Sequence, residues 1–382
     1  VGFYFRFLFL GLVLSFSEFD ARAVSTPSFL GSFESRARAY TGLTSPLLPT
    51  ISEPARRNLA EQSFLSDNVA LLAWLPGHQP RFYPADLRAQ KSGALFNPGI
   101  GDLAGGPINA SELAEALEAT PNSLQSVQTQ AGAMLLRKEV GFSLFYEDTR
   151  EAMVDSDGGL SFSRYRDFKS QLGVGTPLFI RKDIGRLDFG VLVKFIARRG
   201  DEIYLRSDEI SAINSSLLDA DLKKSVLAGG ADLGWLYTMP VSPGGFKIQT
   251  AFTWRDLGTT QFFLGHKSSQ RKRFRRFSNS QNVGIGLGSP LLLDSFRWAV
   301  RVEGLDLSEN IPVADKMAIS SEFRFAEAFS IYTGFRGPSP TFGAQFRLPF
   351  IELLVSSFPL YTGNGSATLK HRQLALSMKA AL

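Results

Sequence analysis

Six basic residues crowd one ten-residue stretch: Lys267, Arg271, Lys272, Arg273, Arg275 and Arg276, with Phe274 and Phe277 beside them. Guanidinium forks hold phosphate oxygens, so such a cluster suits lipopolysaccharide phosphates or a polyanionic partner. A solvated loop that only tolerates charge has the same composition. Asp155-Ser156-Asp157-Gly158-Gly159 begins like a calcium loop but lacks the later glutamate, and reads as a turn. There is no cysteine, which excludes disulfides, thiolate metal centres and a thiol nucleophile. His78, His266 and His371 are scattered, with neither ligand spacing nor a nucleophile motif nearby. Gly284, Gly286 and Gly288 precede no helix start and belong to a strand, not a nucleotide site. Charge and apolar surface are the chemistry on offer. No enzymatic activity, cofactor or metal is expected.

A second set of cations is ordered by alternation. In Ser-Phe-Arg-Trp-Ala-Val-Arg-Val-Glu at 295–303, Phe296, Trp298, Val300 and Val302 share one face and Arg297, Arg301 and Glu303 the other. A period of two is a strand with one apolar and one polar side. The same pattern continued puts Lys247, Arg255, Arg297, Arg301, Arg324, Arg336 and Arg347 on the polar face as candidate anion- or ligand-facing residues. Lys194, Arg198, Lys316 and Lys379 join them, against Asp188, Glu303, Glu322 and Glu352. Such an excess of positive charge needs water, anions or acids from elsewhere. A wet lumen favours anions or carboxylate-bearing solutes; a closed one needs acids from residues 24–130.

The elements that must carry these faces are strands in series. Alternating runs recur from about residue 131: Phe142 to Glu147, Asp188 to Arg198, Phe246 to Arg255, Lys316 to Phe325, Phe342 to Leu348 and Gln373 to Leu382. They predict an all-β chain, a transmembrane antiparallel barrel of 12–14 strands, with Ala131–Arg137 as the fourteenth. A mean hydropathy of −0.01 is no objection, because only every second strand residue is apolar. Phe is abundant, 33 against 9 Tyr, which suits a lipid-facing surface. Counted back from a periplasmic C-terminus, short turns fall on the periplasmic side and mostly longer connections outside, the basic stretch 267–276 among them. An amphipathic helix is expected in the external connection, from Ser207 to the Gly229-Gly230 stop.

Residues 1–23 have the form of a signal peptide, with an apolar run from Phe7 to Phe16 and Ala21-Arg22-Ala23 as cleavage site. Residues 24–130 lack clean alternation. They are expected to form a partly helical segment, either a plug or a periplasmic extension, with helices at Pro84–Lys91 and from Asn109 to Thr120. The domain plan is therefore 1–23, 24–130 and 131–382. A net charge of +5 and export argue against nucleic acid.

The sequence of a leader, then Asn97-Pro98-Gly99-Ile100-Gly101-Asp102-Leu103-Ala104, then a Phe-rich alternating region resembles the FadL-type fatty-acid transporters and the related PorV-like and TraF-like barrels. Gly334 to Gly343, between two alternating strands, resembles a recurring hairpin of that group. The resemblance implies a Gram-negative outer-membrane β-barrel that binds or passes small hydrophobic or amphipathic molecules. The alternative it leaves open is a non-transporting scaffold or shuttle of a surface or secretion assembly, with a protein partner at the external loops. Outer-membrane lipid and lipopolysaccharide are expected partners of either.

Overall fold

The polar–apolar alternation closes on itself. A computed structural model describes residues 68–74, 81–92, 125–137, 139–154, 158–210, 225–240, 244–257, 261–264, 279–290, 292, 295–308, 312–326, 328–348, 350–362 and 369–380. Strands β1 (Arg81–Ser92), β2 (Gln125–Arg137), β3 (Val140–Val154), β4 (Leu160–Arg181) and β5 (Gly185–Leu205) pair in order. β6 (Ser225–Thr238) follows, and β7 (Lys247–Arg255) and β8 (Gln261–Leu264) lie end to end along it. Then come β9 (Ser280–Gly288), β10 (Phe296–Gly304), β11 (Met317–Phe325), β12 (Phe329–Arg336), β13 (Ser339–Arg347), β14 (Ile351–Thr362) and β15 (Leu369–Ala380). β15 returns to β1, Ala380 facing Ala85, so the sheet is a closed antiparallel barrel of 14 staves.

The outward positions of the belt are mostly apolar, with a few hydroxyl side chains such as Ser170, Ser321 and Thr333 between them. Phe168, Leu172, Ile180, Phe195, Phe346 and Leu376 are each half or more exposed. Surface of that kind around a whole barrel is untenable in water at about 25 cal/mol per Å². From Phe168 to Ile180, β4 rises about 40 Å along itself and about 30 Å along the barrel axis, the height of a hydrocarbon core. Facing inward are Asp86, Lys194, Gln249, Arg301, Glu322, Gln345 and Lys379, all nearly inaccessible. Lipid is the apolar solvent outside, and the charges are kept within. The barrel is of the outer-membrane type. No helix among the described residues is long and apolar enough to cross a membrane, which is immaterial to a barrel.

Two expectations are corrected. Arg81–Ser92 is a stave, not a helix at Pro84–Lys91, so the barrel begins at 81 instead of 131. The register slips between Tyr83 and Asp86, a bulge at Pro84-Ala85. One inserted residue breaks the period of two, and proline is tolerated at a bulge. The connection 93–124, containing Asn97-Pro98-Gly99, therefore links β1 to β2. A helix, α1 (Ser207–Ile210), does start at Ser207, but Gly229 and Gly230 lie inside β6 and stop no helix. A second short helix, α2 (Val313–Lys316), precedes β11. The signal segment, the helix from Asn109 and the basic stretch 267–276 lie outside the described residues.

Short turns gather at one end, at 138–139, 182–184, 326–328 and 348–350, and both barrel termini are there. The longer connections are at the other end.

Candidate functional site

The polar face lies where the alternation put it. Arg301 and Arg324 share Glu322, at 2.7 and 2.8 Å. Arg336 donates to Asp306 Oδ2 at 2.8 Å, and Arg347 to Gln345 Oε1 at 2.9 Å. Lys247 Nζ lies 4.9 Å from the centre of the Trp74 ring. Arg255 and Arg297 are half-buried on the inward side. The seven expected lumen residues thus line one bore but form no single cluster.

The expected excess of positive charge is offset in part by wall acids beyond the four counted. Lys169 meets Glu147 and Arg198 meets Asp167, both at 2.7 Å; Lys194 meets Asp232 and Asp256 at 2.8 Å. Among the described residues of the stretch 24–130 that was to supply acids, Asp86 pairs with Arg88 at 2.6 Å. Most of these pairs span neighbouring strands or one strand's alternate positions, while Lys194–Asp256 reaches from β5 across β6 to the end of β7. Close ion pairs of this sort repay part of the desolvation cost and fix the wall.

Apolar residues interrupt this polar lining, and they were missed. Tyr165, Ile196, Val226 and Ala228 form one patch on the inner face of β4–β6. Ala318, Tyr332, Leu354, Phe358 and Ala375, with Leu305, form another on β11–β15. They sit at inward positions in sequence, so the parity that found Arg301 could have found Tyr332 and Phe358.

At the short-turn end the bore holds a piece of chain. The 3-10 helix Val69–Trp74 packs within the barrel on Tyr83, Met134, Leu136, Leu192, Leu236 and Ala251. Its seat is a row of glycines across three strands, Gly175 facing Gly190 and Gly190 facing Gly234. A Cβ on Gly175 would lie 2.8 Å from the Val69 carbonyl oxygen, and one on Gly190 would lie 2.5 Å from the Ala70 nitrogen. A Cβ on Gly234 would overlap the Asn68 side chain. Without side chains the wall lets the helix backbone lie against it.

Polar contacts lock both ends of this helix. Asn68 Oδ1 accepts from the Ala70 N–H at 3.1 Å and its amide donates to the Trp235 carbonyl at 3.1 Å. At the other end Trp74 Nε1 donates to Asp188 Oδ2 at 2.6 Å, and Arg186 donates to the Ala73 carbonyl at 2.7 Å while its guanidinium lies 4.0 Å from the Trp74 ring centre. Glu139, at φ 67° in the tight β2–β3 turn, donates its N–H to the Leu72 carbonyl at 3.2 Å. Nothing in the composition of 68–74 advertises this. The signal lay in the wall, as glycines at matched inward positions of three strands. No group of residues able to hold a metal ion occurs among the described residues.

No protein-family model and no curated protein sequence matches the chain. Among solved structures, the CymD monoaromatic hydrocarbon channel is 10% identical over 95% of this chain and 98% of that one, at a TM-score of 0.48. The P. putida toluene transporter TodX is 11% identical over 84% and 93%, at 0.40. A Rhodopseudomonas blastica porin mutant is 9% identical over 80% and 99%, at 0.28. TodX and CymD are FadL-family barrels, the group that the sequence resembles. At these scores the likeness decides no function, and the fold rests on the strand register above.

Proposed function

We propose that the barrel is a gated route across the outer membrane for small hydrophobic or amphipathic molecules, with Asn68–Trp74 as its plug. The observation that carries this reading is the glycine row Gly175–Gly190–Gly234, which seats a segment of chain inside the bore. A wall that only had to be stable would fill these positions with side chains. The two apolar patches on the inner face favour a solute with apolar surface over a simple ion. The ionic lining suits an amphipathic head group, and Lys247, Arg255, Arg297, Arg301, Arg324, Arg336 and Arg347 remain its candidate contacts. With short turns on the periplasmic side, as is usual for such barrels, the plug is at the periplasmic exit.

The test is uptake into proteoliposomes of two probes, an aromatic hydrocarbon and a medium-chain fatty acid. Wild-type barrel should pass at least one of them, and Gly190→Leu, which displaces the helix from its seat, should pass it faster. Unboiled gel mobility confirms that the variant is folded. A scaffold without transport passes neither probe in either protein.

A further inference from the structure

The outer wall carries a charged band that the passage does not use. On β3–β5 the register runs in rows. Tyr146, Phe168 and Ala197 form one outward row, with Tyr146 and Phe168 about half exposed. One step toward the long-connection end the row is Asp148, Arg166 and Arg199, and the next is Arg150, Arg164 and Asp201. The apolar belt ends and four arginines begin within a single step of the pleat. Asp148 is shared by three of them: Arg164 Nη2 at 3.1 Å, Arg150 Nη2 at 3.4 Å and Arg166 Nε at 3.7 Å. Arg166 keeps 40% of its side chain exposed, and Arg199 is exposed.

We infer that this band is a binding site for the phosphates of an acylated glycolipid in the outer leaflet. Arg150 and Arg164 turn to Asp148 and are largely buried, while Arg166 and Arg199 stay exposed and present positive charge at one patch. Arginine's planar fork matches phosphate oxygens. The patch lies directly above exposed aromatic and aliphatic side chains, Phe168, Leu172 and Phe195. A ligand that places a phosphate on Arg166 and Arg199 therefore lays its acyl chains on that wall, and only an amphiphile of the same leaflet satisfies both contacts. Assignment to the outer leaflet rests on the orientation given under Proposed function. Binding itself is measured in detergent and is independent of any passage.

The experiment uses full-length, delipidated barrel titrated with micelles containing bisphosphorylated glucosamine lipid, with the same lipid stripped of phosphate, and with inorganic pyrophosphate. The bisphosphorylated lipid should bind at least tenfold more tightly than the stripped one, and millimolar pyrophosphate should compete poorly. Arg166→Ala/Arg199→Ala should lose that preference by about tenfold, as expected for charge-assisted bonds. Arg199→Gln serves as a milder variant, since Arg199 is exposed. Arg372→Ala, at an outward arginine on β15 that donates to Ser357 Oγ at 2.8 Å, should leave the preference intact. Equal binding of the two lipids by the wild type overturns the proposal, as does retention of the preference by a folded double variant. Pyrophosphate competing as well as the lipid makes this a phosphate site without a lipid and also overturns it.

Discussion

Trp74 and Asp188 join the inner helix to the barrel wall, with the indole N–H donating to the carboxylate at 2.6 Å. Arg186 closes the clasp by donating to Asp188 Oδ1 at 2.7 Å and covering the indole face. A hydrogen bond to a charged acceptor contributes about 1.5–3 kcal/mol and a desolvated cation–π contact about 2 kcal/mol. Trp74→Ala should shift the closed-to-open ratio by about tenfold or more, seen as added conductance in planar bilayers. Unchanged conductance in a folded Trp74→Ala barrel would remove the clasp from the account.

The glycine row separates plugging from barrel stability. A Cβ at Gly175 meets atoms of the inner helix, the Val69 carbonyl oxygen, Leu72 Cβ and the Ala73 nitrogen, so Gly175→Ala should raise conductance while leaving thermal unfolding nearly unchanged. Gly132 is different: a Cβ there overlaps the Phe145 side chain and the Leu144 carbonyl, both in the wall. Gly132→Ala should lower stability by about 1–3 kcal/mol through overpacking and leave the channel closed. Denaturant melts and bilayer recordings on the two variants check the contrast, and identical behaviour would contradict it.

The lipid-facing register is tested at β10. Val300 faces outward, and its neighbours Ala299 and Arg301 face the bore. Val300→Arg should destabilise the folded barrel by about 2–4 kcal/mol near mid-membrane. Single cysteines at 298 and 300 should react with a lipid-phase probe and one at 297 should not. Labelling at 297 alone would place the register one residue out.

Glu322 holds two arginines and is fully buried. Replacing it by glutamine keeps the volume and removes the charge. Breaking a buried pair from one side costs about 3–5 kcal/mol. The urea midpoint of Glu322→Gln should fall accordingly, and a change below about 1 kcal/mol would mean that water or anions already screen Arg301 and Arg324.

Much of the barrel could be read from alternation because each strand carries its own address. Arg297, Arg301, Glu322 and Arg324 were placed inward from parity alone, and they are there. Arg81–Ser92 defeated the same rule because the bulge at Pro84-Ala85 shifts parity mid-strand, leaving Ala85 and Ala89 at helical spacing behind a proline. The wall acids Glu147, Asp167 and Asp232 were undercounted, since burial of a charge shows only in its partner's strand. The glycine seat depends on the cross-strand register of Gly175, Gly190 and Gly234, and one sequence fixes no register between strands.

The central claim is that Asn68–Trp74 moves when the barrel passes a solute, and a cysteine lock tests it most directly because the chain has no cysteine of its own. A Cβ built on Gly175 lies 2.9 Å from Leu72 Cβ. That is about 0.6–0.9 Å short of the disulfide span of about 3.5–3.8 Å, a shift the short helix makes on cross-linking. Gly175→Cys/Leu72→Cys barrels should show no uptake of the hydrocarbon probe when oxidised, and uptake at or above the wild-type rate after reduction. Equal uptake in the oxidised and reduced states would contradict the account.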